Sequence, residues 1–286
     1  MRKSIALFIT LLFLLAVIVV LNKILNTKTT SFGKIISENS LIVKNTLDTL
    51  KEIKKNINGS DDLDNIFTTF PLSNNDGTFR AVINIKPVFD KIDINALLQK
   101  GKINPYIENY LENILSYYKI EDPEYLKDLI LDTIDTDLEE REAYSEIANE
   151  NPYFQNGKIY GVDQLNAINR TYFKKTDDKN VFQIPWEEYF YFGDGKIHML
   201  DCERMDTQTA KFLSLNVEEQ TDCETISTKE NNETIKNLNI IPYDKNQSYW
   251  VEVNINYIFD DVNSTLKITY DLNNKKVINI ESNPVY

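Results

Sequence analysis

The sequence predicts an α+β protein: a long N-terminal transmembrane and stalk helix packed on an antiparallel sheet, with a helical domain inserted after the first strand. An apolar run opens the chain, and period-2 alternation marks a strand near residue 80 and others beyond residue 249. Much of the stretch between has helical spacing.

Met1-Arg2-Lys3-Ser4 is a short basic leader, and Ile5 to Leu21 is apolar except for Thr10. At about 1.5 Å per residue, these residues and the turn to Leu25 reach roughly 30 Å, the thickness of a bilayer's hydrocarbon core. Arg2 and Lys3 lead, so the positive-inside rule leaves the N-terminus in the cytoplasm and sends the rest outward. A cleaved secretory signal is the competing expectation. The very short leader, the long apolar run and the lack of a clear small-x-small site after Leu21 favour a retained anchor. Ile35, Ile36, Leu41, Ile42, Leu47, Leu50, Ile53 and Ile57 then recur at helical spacings, which extends the helix to about fifty residues, half in lipid and half an amphipathic stalk. Asn58-Gly59-Ser60-Asp61-Asp62 is its expected stop.

Phe79 to Asn95 reads as strand, preceded by turn chemistry at Asn75-Asp76-Gly77. Residues 96–192 change to helical spacing. Asn104-Pro105 and Asp122-Pro123 each offer an N-cap followed by Pro at the first helical position. Val162 to Phe173 suggests another helix. Tyr249–Phe259, Thr265–Asp271 and Lys276–Ser282 return to strand, joined by turns at Asp260-Asp261 and Asn273-Asn274.

Charge is unevenly placed. Residues 1–56 carry a net charge of +6, and the remaining 230 residues −19. An outward domain that acidic is repelled by nucleic acid and by anionic lipid surfaces. Cys202 and Cys223 lie in the outward part, where an oxidising compartment would join them in a disulfide; two buried thiols or half a metal site are the alternatives. His198 is the sole histidine, so a zinc site would need carboxylates to complete it. It is expected on a strand, half-buried or solvent-facing. The run Asp132, Asp135, Asp137, Glu139, Glu140, Glu142 is either a solvated helix end or a set of calcium ligands, although its spacing is not that of the helix-loop-helix calcium loop. Trp186-Glu-Glu-Tyr-Phe-Tyr-Phe192 reads as core packing or as a partner surface. No Gly-x-Ser-x-Gly and no phosphate loop occurs, so the expectation is neither enzyme nor cofactor nor metal site.

Four places, taken in order, resemble a bacterial pseudopilin, specifically the K-type minor pseudopilin of type II secretion systems. The basic leader running into an apolar helix resembles a prepilin-type signal. Phe89-Asp-Lys-Ile-Asp-Ile-Asn95-Ala96-Leu97-Leu98 resembles that family's strand ahead of its helical insert. Leu129-Ile-Leu-Asp132-Thr-Ile134-Asp135-Thr-Asp137 resembles its Asp-rich helix end. Asn151-Pro152-Tyr153 through Asn156-Gly157 to Val162-Asp163-Gln164-Leu165 resembles the segment that follows.

The resemblance implies a leader at 1–4, a transmembrane and stalk helix at 5–57, an α/β head from 58–95 and 196–286, and an inserted helical subdomain at 96–195. It also implies cleavage between Ser4 and Ile5 by prepilin peptidase, then N-methylation, with Ser4 standing where most substrates have Gly. Ile9 stands at the fifth mature position, where most pilins have Glu; the K-type lacks that Glu and sits at the pseudopilus tip. Subunit packing would fall to Ile9, Ile35, Ile42, Leu50 and Ile53. The implied partners are other minor pseudopilins and the inner-membrane secretion platform. The implied location is the inner membrane, single-pass, with the C-terminal domain periplasmic. An unprocessed single-pass envelope protein with an acidic periplasmic partner-binding domain is the alternative, as is a minor pilin of a competence or type IV pilus machine.

Overall fold

Alternation decides the sheet. Along Trp250–Phe259, Val251, Val253, Ile255 and Tyr257 are buried while Glu252 and Asn254 between them are partly exposed. The next strand repeats the pattern, with Ser264, Leu266, Ile268 and Tyr270 buried and Lys267 and Thr269 half-buried. Successive strand side chains point to opposite faces, so one face of the sheet is apolar and the other polar.

The computed structural model describes residues 42–55, 57, 59–73, 79–217, 222–259 and 262–285. The chain divides into two compact units, 1–57 and 58–286. In the first, residues 42–54 form a helix, α1, which carries Ile42, Leu50 and Ile53. Ser4, Ile5, Ile9 and Ile35 lie outside the described residues, as do the apolar run and the turn at Asp260-Asp261. Among the described residues, no helix is long and apolar enough to cross a membrane.

The second unit is built on a five-stranded antiparallel sheet of β1 (Thr69–Ser73), β2 (Phe79–Pro87), β3 (Trp250–Phe259), β4 (Val262–Asp271) and β5 (Lys276–Val285). Its strands lie side by side in that order. The strands expected from the sequence near residue 80 and beyond residue 249 are present, but the first ends at Pro87 and not at Asn95, where a turn and the 3-10 turn Ile94–Leu97 take over. One correction concerns β1, which sequence reading did not identify, so the helical insertion follows the second strand and not the first. Pro71 sits in the middle of β1. Proline cannot donate to a ladder, which confines such a strand to a sheet edge, and β1 is an edge.

Between β2 and β3 the chain makes its long excursion through α2 (Pro105–Tyr117), α3 (Pro123–Ile134), α4 (Val162–Thr176) and several single helical turns. Both expected caps are in place. The Asn104 side chain accepts from the Tyr106 and Ile107 amides, and Asp122 from that of Tyr125. Ile107, Tyr110, Leu111, Ile114 and Leu115 of α2 are buried with Leu126, Leu129 and Ile130 of α3 and Leu165 and Ile168 of α4. That apolar cluster runs on to Leu200, Phe212 and Ile240. Where α2 meets α3, Lys127 is held by Glu108, Glu112 and Glu124 at 2.8–3.0 Å. Burial works against its charge, but the three carboxylates hold its pKa above the usual lysine value.

Asn104→Ala leaves two first-turn amides of α2 without the side-chain acceptor. Urea denaturation followed by circular dichroism should show a loss of about 1 kcal/mol.

Candidate functional site

The chain leaves the sheet at Pro87 and rejoins it at Trp250, and buried carboxylates gather at that junction. Asp93 caps the 3-10 turn Ile94–Leu97. Its Oδ1 accepts from the Asn95 amide at 3.0 Å and the Gly193 amide at 2.9 Å, and its Oδ2 from the Gly195 amide at 2.8 Å. Asn95, also buried, donates through Nδ2 to the Ile159 and Gly193 carbonyls and accepts from the Ile159 amide at 2.7 Å. Two polar residues flanking Ile94 thus tie together segments 93–95, 159 and 193–195.

The glycines follow from this. A Cβ on Gly193 would stand 2.4 Å from Asp93 Oδ2, and Gly195 adopts φ +80°. Burial pushes the Asp93 carboxyl up to about 6, against the three amide hydrogen bonds that pull it down. Asp194 between the glycines goes the other way. Desolvation raises it, but Lys196 and His198 hold it down at about 2.

His198 is in a loop and not on the expected strand, because residues 192–199 between the short bridges at Phe190–Tyr191 and Leu200–Asp201 pair with no strand among the described residues. Its ring lies 4.5 Å from that of Trp250 and 5.6 Å from that of Phe89, and Nε2 is 2.9 Å from Asp194.

A second node centres on Asp201. Its amide donates to the Phe89 carbonyl at 2.6 Å, and its Oδ2 accepts from Tyr249 Oη and Arg204 Nη1, each at 2.8 Å. Arg204 reaches on to Asp64 and the Ser60 carbonyl. Nearby, Cys202 and Cys223 form a disulfide. The bond fastens the one-turn helix Cys223–Ile226, whose N-cap Asp222 makes a reciprocal pair of hydrogen bonds with Thr225.

The acidic run is divided by an arginine. Arg141 pairs with Asp132, which is fully buried, and with Asp135. Among the described residues, Oδ1 of Asp135 and Oε2 of Glu146 have no hydrogen-bond partner, and no group of three or more His, Cys, Asp or Glu is placed to hold a metal ion. The aromatic stretch serves two ends. Trp186, Tyr189 and Phe190 are buried in the core of the insert, while Tyr191 and Phe192 also line a cleft.

That cleft, of 590 Å³, opens between the polar face of the sheet and the insert. Asp90 forms part of its wall, and its Oδ1 has no hydrogen-bond partner among the described residues. Burial pushes the Asp90 carboxyl up to about 6; Lys91 and the backbone oppose the shift, while Asp206 and Glu252 add to it. Sequence reading did not single out Asp90, Asp93, Asn95 or Asp201 for these roles. The available signal was Gly193-Asp-Gly195 in a chain with only eight glycines.

No protein-family model and no curated protein sequence matches the chain. Among solved structures, it matches a chain of the crystal structure of the GspK-GspI-GspJ complex from the enterotoxigenic Escherichia coli type 2 secretion system. The TM-score is 0.61 at 10% identity, covering 90% of this chain and 99% of the other. The two share a fold. The likeness reaches nearly the whole of the solved chain, so it takes in both sheet and insert of this one.

Three outcomes follow from the geometry. Gly193→Ala forces Asp93 away from its amides and should cost at least about 2 kcal/mol in a denaturation experiment. Cys223→Ser opens a loop with a sequence separation of 21, for a loss of about 3 kcal/mol in the chain-entropy model, read as a drop in denaturation midpoint. The folded-state pKa of Asp90 lies above its unfolded value, so its stabilising contribution is complete below pH ~4 and is lost as the pH rises through about 6. Asp90→Asn should match the parent chain near pH 4 and exceed its stability by about 1–2 kcal/mol at pH 8, on urea curves taken at both.

Proposed function

We propose that this chain is a K-type minor pseudopilin of a type II secretion system. On this reading it is anchored in the inner membrane by residues 5–57 and carries its head in the periplasm at the tip of a short pseudopilus. There it contributes to assembly initiation and to protein secretion. The observation that carries the proposal is the fold likeness spanning 99% of a chain from a GspK-GspI-GspJ complex. The sequence adds an independent reason, since a four-residue basic leader meeting an apolar run is the form of a prepilin-type signal.

On this reading the partners are other minor pseudopilins, prepilin peptidase and the inner-membrane platform. Ile42 and Ile53, both half-buried, fall within roughly 20° of each other at 100° per residue, a line suited to packing against sister helices, while Leu50 is already buried within the chain. The disulfide suits an oxidising periplasm. Ser4 in place of Gly is the residue that favours the rival reading, an unprocessed envelope protein.

The two separate by the mass of the N-terminus in peptidase-competent cells. The pseudopilin reading expects a chain beginning at N-methylated Ile5; a chain still beginning at Met1 overturns it. Crosslinking through residues 5–57 should capture other short-leader pseudopilins.

A further inference from the structure

We propose that the cleft between the polar face of the sheet and the insert binds a guanidinium or ammonium group, with Asp90 as its counter-ion. The inference goes beyond the proposed role in assembly and holds whichever machine the chain serves.

The cleft is large enough for an extended basic side chain and the backbone around it. Its walls carry six carboxylates against three lysines. Part of that charge is already committed. Lys267 is held by Glu187 and Glu252, each at 3.0 Å, and Glu252 also accepts from Asn254 at 2.7 Å. Asp206 caps the helical turn Thr207–Phe212, taking the amide and hydroxyl of Thr209.

Asp90 is the exception. Its Oδ1 is enclosed behind the wall and receives no hydrogen bond among the described residues, so the carboxylate is poorly solvated and a cation on the open side of the cleft would stabilise its charge. Tyr191 and Trp250, packed edge to face at 6.1 Å, form an aromatic part of the same wall. Such a wall lowers the local dielectric, which strengthens the attraction of a carboxylate for a cation, and aromatic faces add to it. An anion would meet six carboxylates against three lysines, and the balance repels it. Lys91 beside Asp90 offsets its charge in part, and a neutral polar group would add nothing to that compensation. A cation answers both conditions.

The same chemistry comes from two sources, an arginine or lysine side chain of a protein partner, or a free polyamine. The full chain in detergent is titrated with N-acetyl-arginine amide, with its uncharged isostere N-acetyl-citrulline amide and with spermidine, following tryptophan fluorescence. Trp250 lines the cleft, whereas the chain's other tryptophan, Trp186, does not.

The expected result is a saturable change with the arginine derivative and none with citrulline. Asp90→Asn removes a buried charge and keeps the fold, which near-UV circular dichroism verifies, and it weakens binding by about tenfold or more. Tighter binding of spermidine than of the arginine derivative assigns the site to free polyamine; the reverse assigns it to a protein side chain. Lack of saturation by either cation up to roughly 20 mM, equal binding of citrulline, or unchanged affinity in Asp90→Asn overturns the proposal.

Discussion

Pro87 and Val251 pair across neighbouring strands, yet the entire insert lies between them in sequence. Holding the ends of so long an excursion together costs on the order of 4 kcal/mol in loop entropy before any contact rewards it. The sheet therefore depends on the insert being fastened where it leaves and where it returns. The Asp201 node does this directly: it joins Phe89, just beyond β2, to Tyr249, just before β3, and continues through Arg204 to Ser60 and Asp64. The Asp93 node fastens the next layer, tying the start of the insert to the loop at 193–195.

The carboxylates at this junction are satisfied by different means. Asp201 has an arginine, a tyrosine hydroxyl and the Glu203 amide. Asp93 has backbone amides alone, which demands glycine at 193, because any Cβ there collides with the carboxylate. Asp90, three residues before Asp93, has an orphaned oxygen. The contrast matters because the fold clearly can satisfy a buried carboxylate here and does so twice. Local rules are broken most often where a protein does something other than fold.

What the sequence made legible was local. Asn104-Pro105 and Asp122-Pro123 mark the starts of α2 and α3 because a side-chain acceptor and a preset φ act within three residues. The C-terminal strands were legible because burial of one face imposes a period of two. The cysteine pairing was legible because there are only two to pair. The edge strand β1 was not, since Pro71 reads as a breaker unless the strand is known to lie at an edge. The junction was not legible either. Asp93 and Gly193 meet across a separation of 100 residues, and nothing local to Asp93 tells a structural carboxylate from a solvated one. His198 was misplaced for a related reason: its alternating neighbours imitate a strand, but its environment is set by Phe89 and Trp250 from elsewhere in the chain.

Charge acts on two scales in this molecule. The −19 carried by the 230 residues after Asn56 produces a field that draws cations toward the head. Salt screens that field beyond about 8–10 Å, and it selects no particular place on the surface. A site needs something the field cannot supply, namely a carboxylate whose water has been removed and whose protein partners are missing. The exposed acids near Leu138 fail this condition because solvent compensates Glu139 and Glu140, and Arg141 neutralises the deeper Asp132 and Asp135. Asp90 comes nearest to it in the cleft: its Oδ1 accepts no hydrogen bond among the described residues, and Lys91 offsets its charge only in part. Desolvation at one atom, and not the acidity of the whole head, is what would confer selectivity on the cleft.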